Sequence, residues 1–430
     1  MHTLVPLALI LAACHLKVVA PDDSEPQADT DVDSDADSDA DTDSDADTDT
    51  DADSDADTDT QHPALTISTA FDSGSLGPWT IDGDTVTASL NTTTMVNTGD
   101  VYAYWMHLEL AGALAKTVVF EIDGVDGNPF FGEHPEENQV VYSCDGSDWA
   151  RITDHSYSPL ASGTHRFAWT FDCDTPRIAT FFPYPWEQLD RWTRTTGKDP
   201  RASLSILGQS TQGRDILELS ITNPAVPDRD KPAVFILGRQ HAGETAGSHQ
   251  LTGLVDFLLS DQPEAQPLLD GLVWRIVPML NPDGVYLGHS RATSLLRDPN
   301  ADWANDSSVE VAIVRTHLEA LAADPGLDMV LDWHNQVNDE RWYDFVYAPP
   351  DSDFFPVLAQ GTSFDQQVAS GASSCTPADC SFRGWSMTHV LEDPMFVLEP
   401  SPHQAHWTVE SLQEQGELTA KAVGAYFEGR

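Results

Sequence analysis

Ala233-Val234-Phe235-Ile236-Leu237-Gly238-Arg239-Gln240-His241-Ala242-Gly243-Glu244 is the stretch from which the fold is read. Its first six residues include no polar side chain, the pattern of a strand buried on both faces. A short turn follows, and a helical pattern runs over residues 244–259. The same alternation returns downstream: residues 272–280 read as a strand, 309–322 as a helix, and 329–333 and 395–398 as buried strands. Strands alternating with helices predict an α/β fold over residues 182–430, a mixed sheet flanked by helices. In such folds ligands collect where strands end and loops begin.

Upstream the pattern differs. Over residues 62–181, short alternating stretches at 84–90, 101–110 and 117–122 are separated by Gly, Asp and Asn. This spacing predicts a small all-β sandwich domain ahead of the α/β part. Before it, residues 15–61 read as a disordered Asp-rich linker, with aspartate at every odd position from Asp29 to Asp59. So dense a charge without aromatic residues does not collapse, and self-repulsion extends it. The stretch has no glycine to turn a chelating loop, which disfavours calcium and leaves a spacer.

The formal net charge is −49. Residues 1–60 hold 19 acids against one base, Lys17, a net of −18 that leaves −31 for the remainder. An acidic chain of this kind argues against a nucleic-acid partner, because phosphate contacts need Lys and Arg. Residues 1–14 read as an export signal: residues 4–13 are almost wholly apolar and too short to cross a bilayer. The run ends Leu11-Ala12-Ala13-Cys14, which resembles the lipobox of bacterial lipoproteins. Lipidation of Cys14 would anchor the chain to a membrane at the cell surface or in the periplasm. An ordinary secretory signal with an incidental cysteine is the alternative, and residues 1–3 carry no Lys or Arg. The other four cysteines suggest two disulfides, and spacing favours Cys144–Cys173 and Cys375–Cys380.

Four segments follow predicted strands: His241-Ala242-Gly243-Glu244, Asn281-Pro282-Asp283-Gly284-Val285, Asp332-Trp333-His334 and Leu398-Glu399. A catalytic zinc takes about three protein ligands and keeps one open position. His241 and Glu244, three apart, can meet one ion from a turn that enters a helix, and His334 supplies a third ligand from another strand end. Each segment alone is a weak signal; their order is a strong one.

In that order the motifs resemble the zinc metallocarboxypeptidases, most closely the cytosolic carboxypeptidase (deglutamylase-like) branch. Upstream stretches such as Phe71-Asp72-Ser73-Gly74-Ser75-Leu76 and Phe182-Pro183-Tyr184-Pro185-Trp186 extend the likeness over residues 62–400. The resemblance implies hydrolysis of peptide or protein C-termini with Zn2+ as cofactor. It makes His241, Glu244 and His334 the metal ligands. Glu399 matches the general base that takes a proton from the attacking water and passes it to the leaving amine. Arg291 matches the arginine that stabilises the oxyanion. Asp298 matches an acid bonded to a ligand histidine, and Asn300 a contact to the substrate carboxylate. Asp332, His249 and His389 are expected in the core or behind the ligands. One departure stands out: the family pattern has arginine directly after the asparagine, and here that place is Ala301. Arg297, or Arg383 in an expected loop at 381–384, is a candidate substitute for that cation. The alternatives are a zinc amidase or endopeptidase-like hydrolase of cell-wall peptides, or an inactive surface binding module.

Overall fold

The mostly apolar runs become the middle of an eight-stranded mixed sheet in the computed structural model of the chain. It describes residues 63–125, 140–158, 163–305, 307–323, 326–336, 343–369, 375–376, 380–391, 393–401 and 406–430. The export signal, Cys14 and the Asp-rich linker lie outside the described residues. Across the sheet the strands are ordered Ala202–Gln209, Asp215–Ile221, Val273–Val277, Ala233–Gly238, Met329–Trp333, Met395–Glu399, Phe345–Ala348 and Gln366–Ala369. From Val273–Val277 to Met395–Glu399 the four neighbouring strands are parallel. Antiparallel strands extend this block on both sides.

Successive side chains of Ala233–Gly238 enter opposite cores. Val234 and Ile236 pack with Leu251, Trp274, Leu331 and Phe396 on one face. Phe235 and Leu237 pack with Val277, Val314, Val330 and Met395 on the other. Each such side chain contributes about 1.5–3 kcal/mol by leaving water. Helices Thr245–Leu258 and Val409–Glu428 cover the first face, and Val309–Ala323 and Phe382–His389 the second. The first pair approach through glycine: a Cβ on Gly416 would lie 1.8 Å from the Gln250 carbonyl oxygen, and one on Gly253 2.1 Å from that of Gln413. No larger residue fits at either place.

The sandwich has two five-stranded sheets closed over Val86, Leu108, Phe120, Phe167 and Ile178. It shares a core with the α/β part, where Val141, Phe181 and Phe182 pack with Ala246, Trp407 and Leu412. Residues Gln61–Arg430 accordingly form one compact unit. Both expected disulfides are present, Cys144–Cys173 and Cys375–Cys380.

Two expectations need correction. The strand foreseen over 101–110 is split into Val101–Tyr102 and His107–Ala111, because the N–H groups of Tyr104 and Trp105 both donate to Ser290 Oγ rather than to a neighbouring strand. Residues 381–384 are not a loop: Ser381 caps helix Phe382–His389, its hydroxyl accepting from Gly384 N. A glycine in the first turn disguised a Ser cap.

Candidate active site

The site forms at the C-terminal ends of the three parallel strands Ala233–Gly238, Met329–Trp333 and Met395–Glu399. After the first, Arg239 takes a left-handed backbone conformation (φ 53°). Its buried guanidinium staples the turn by donating to the carbonyls of Ala242 and Tyr184 and to Ser248 Oγ. Gly243 follows where only glycine fits, since a Cβ would meet Tyr104 Cε2 at 2.8 Å and the Ser290 carbonyl at 2.9 Å. His241 and Glu244 are thereby turned inward, and helix Thr245–Leu258 begins directly after Glu244.

Three side chains from two strand ends converge. Glu244 Oε1 lies 2.7 Å from His241 Nδ1 and Oε2 2.9 Å from His334 Nδ1, and the two Nδ1 atoms are 3.1 Å apart. All three residues are buried. Behind each ring stands a carboxylate: Asp298 Oδ1 is 3.2 Å from His241 Nε2, and Asp332 Oδ2 is 3.0 Å from His334 Nε2. Those carboxylates accept hydrogen bonds from Nε2–H, which leaves lone pairs on both Nδ1 atoms, facing each other and Glu244. Three electron-rich atoms aimed at one point repel unless a cation lies between them. Two imidazole nitrogens and one carboxylate form the donor set of a catalytic zinc site with a position left open. Among the described residues it is one of two clusters with metal-ligating spacing. The other is built around the disulfide-bonded Cys144 and Cys173, which have no thiolate to offer.

The electrostatics fit the same reading. Burial pushes the Glu244 carboxyl up, but the flanking His241 and His334 outweigh it and hold the group below the usual range. Burial likewise raises Asp298, and Arg291 with His241 overcomes it and brings the carboxyl down. His334 is pulled down by burial and lifted further by Asp332 and Glu244, so its balance lies well above an ordinary histidine. A proton and a divalent cation therefore compete for this site, and the cation displaces protons on binding.

Glu399 ends the strand beside Met329–Trp333 and is pushed up to about 8, first by burial and then by Glu244 and Asp332. Arg291 donates from Nε to Asp298 Oδ2 at 2.5 Å, brings Nη1 to 3.9 Å from Glu244 Oε1, and lies over the Tyr102 ring at 4.9 Å. It lines a cleft of about 420 Å³ with Asn300 and Ala301 on one wall and Thr98, Asp100 and Tyr102 of the sandwich on the other. Asn300 accepts from Phe382 N through its side-chain oxygen.

The two candidate substitute cations are placed differently from expectation. Arg297 is held by Asp302 through two bonds of 2.6 and 2.7 Å, so its charge is neutralised within its own loop. Arg383 is buried in the first turn of its helix, and burial lowers its pKa. His249 stacks on Tyr184 in the core, whereas His389, expected in the core or behind the ligands, is exposed and stacks on Trp385.

Sequence reasoning missed three contributors. Gln240 donates to both Asp332 oxygens at 2.9 Å, and Trp303 Nε1 donates to its amide oxygen, which fixes the orientation of the amide. Asn97 reaches the Asp298 loop from the sandwich. Gln240 lies in the stretch before His241 and Trp303 two residues after Ala301, and side-chain direction there gives no signal in sequence. Asn97 has no motif at all.

Residues 189–342 match the family model described as zinc carboxypeptidase, and residues 67–181 match that of the cytosolic carboxypeptidase N-terminal domain. Human cytosolic carboxypeptidase 2 is 34% identical over 179 residues, 40% of this chain and 19% of that protein. Cytosolic carboxypeptidase 6 of Caenorhabditis elegans is 30% identical over 279 residues, 59% of each chain. The matches thus span from about a fifth to about three-fifths of these two relatives. A metallo-carboxypeptidase from Burkholderia cenocepacia has the same fold, with a TM-score of 0.72 and 23% identity over 85% of this chain and 100% of its own. Residues 67–181 and 189–342 thus match two consecutive family models, and the His241–Glu244–His334 site fits zinc.

Proposed function

We propose that the protein is a zinc metallocarboxypeptidase that hydrolyses C-terminal peptide bonds, with Glu399 as general base. The observation that carries the reading is the convergence of His241 Nδ1, His334 Nδ1 and Glu244, each imidazole braced from behind by a carboxylate. Zinc bound there polarises a carbonyl and makes water acidic enough to attack at neutral pH.

The remaining work falls to the chain. Glu399 stands at the end of the neighbouring strand, where its carboxylate can accept a proton and return it. It takes the proton of the attacking water and delivers it to the leaving nitrogen. Arg291, fixed by Asp298 and Tyr102 at the cleft wall, offers its remaining N–H groups to the developing oxyanion. Ala301 leaves that wall without the second guanidinium that would grip a terminal carboxylate, so discrimination against blocked C-termini is relaxed.

The test is Glu399→Gln. Zinc content and melting temperature should stay as in wild type, while turnover of a free C-terminal peptide falls by about 10²–10⁴. Turnover near wild type would place the base elsewhere. Export and lipid anchoring through Cys14 belong to the same proposal and rest on residues 4–14. Mass spectrometry of the mature N-terminus should find a diacylated or triacylated cysteine; an unmodified N-terminus beyond residue 14 removes the anchor.

A further inference from the structure

Resting on the zinc-peptidase reading of the site, we propose that Asn97, on the β-sandwich, is a positioning residue for the metal centre. It holds the main chain of Asp298 so that one carboxylate braces His241 and Arg291 together.

Asn97 makes a two-point bridge to a single residue of the α/β part. Its Oδ1 accepts from Asp298 N at 2.9 Å and its Nδ2 donates to Asp298 O at 2.9 Å. The same Nδ2 approaches Asp302 Oδ1 at 3.2 Å. A side-chain amide used in this way imitates a neighbouring strand and fixes both the position and the tilt of the peptide planes it pairs with. The Asp298 side chain has no slack of its own. Oδ1 receives Asn300 N at 2.9 Å and faces His241 Nε2 at 3.2 Å, while Oδ2 receives Arg291 Nε at 2.5 Å. With both oxygens committed, a displaced Asp298 main chain must move the imidazole, the guanidinium, or both.

The loop needs that hold. Within it, Asp298 O accepts only a long bond from Ala301 N, 3.3 Å. Two residues earlier, Leu296 adopts a left-handed backbone conformation at φ 56°, unfavourable for a side chain branched beyond Cβ. Its carbonyl is caught by Val96 N at 2.8 Å. Val96 and Asn97 thus clasp residues 296 and 298 from one turn of the hairpin whose strands are Thr93–Thr94 and Val101–Tyr102. That hairpin also supplies Tyr102, against which Arg291 lies. The sandwich therefore sets the rear support of a ligand on the other side of the shared core.

The experiment is a double-mutant cycle on the full chain, using zinc with a competing chelator at fixed pH. Asn97→Ala should weaken zinc binding by about tenfold, the lower end of what loss of an outer partner costs, and should lower kcat more than it changes KM. Asp298→Asn should weaken it further. In the Asp298→Asn background, adding Asn97→Ala should change zinc affinity less than twofold, since the group through which Asn97 acts is already lost. Equal losses in both backgrounds would overturn the proposal. So would a lowered melting temperature with zinc affinity unchanged, the signature of a stabilising contact alone. If Asn97→Ala does not purify folded, Asn97→Ser is judged by the same criteria. A wild type that binds zinc but cleaves no peptide sinks the peptidase reading and leaves the zinc arm of this test intact.

Discussion

Asp332→Asn isolates the chemistry that makes His334 a ligand through Nδ1. The wild-type carboxylate is almost fully buried. It meets His334 Nε2 at 3.0 Å and accepts twice from Gln240 Nε2. Asparagine keeps the shape but has one acceptor where the site needs acceptors on both sides. If its oxygen faces His334, its NH2 opposes the Gln240 NH2, which cannot flip because Trp303 Nε1 fixes the Gln240 oxygen. If its NH2 faces His334, the ring must accept at Nε2 and carry its proton at Nδ1, where the metal should be. The first choice strands a buried donor at about 1–3 kcal/mol, and the second abolishes the ligand tautomer. Loss of the charge-assisted bond alone predicts zinc binding weaker by about 10–100-fold, or roughly 1.4–2.7 kcal/mol. Chelator competition by wild type and variant at pH 7.5 measures the change, with circular dichroism to establish that the variant is folded. Zinc affinity within twofold of wild type would refute the tautomer argument.

Other outcomes follow from the same geometry. Asp344 is pushed up to about 7 by burial, against hydrogen bonds from Ser363 and Ser401. Its folded pKa lies above its unfolded value, so the folded state holds the extra proton and stability falls as pH rises from about 4 to about 7. Asp344→Asn should therefore raise the melting temperature relative to wild type at pH 8, with a smaller advantage at pH 5; a difference independent of pH would refute the assignment. At the cleft, wild type should cleave matched free-acid and amidated peptides with kcat/KM values within about tenfold of each other, and Ala301→Arg should add a preference for the acid of about tenfold or more. A strong acid preference in wild type that survives Arg383→Ala would mean that some other group reads the carboxylate.

Much of this was legible in the residues. Ala233–Gly238 and Met329–Trp333 match their expected bounds because strands buried on both faces are mostly apolar, with Asp332 the one charge in either. The two histidines and Glu244 meet as their strand-end positions implied. Other elements were hidden for identifiable reasons. Ala202–Gln209 and Asp215–Ile221 mix Ser, Gly and acids at the side of the sheet, where one edge is wet. Helix Val409–Glu428 is rich in Glu and Gln, and its seam against Thr245–Leu258 is made by glycines, which carry no hydrophobic signal. Arg297 looked available because a sequence does not show that Asp302, five residues on, turns back onto it. Asn97 was invisible because its partner lies 201 residues away.

The glycine seam between Thr245–Leu258 and Val409–Glu428 also sets an order of events. The helix that starts beside Glu244 lies against a segment far downstream in the sequence, at a separation that admits no substitute side chain. Glu399 itself arrives only shortly before that segment. In chain order the His241–Glu244 arm therefore precedes both the wall that seats it and its base. A chain cut before residue 399 should accordingly lack both that wall and Glu399, and should show no peptidase activity.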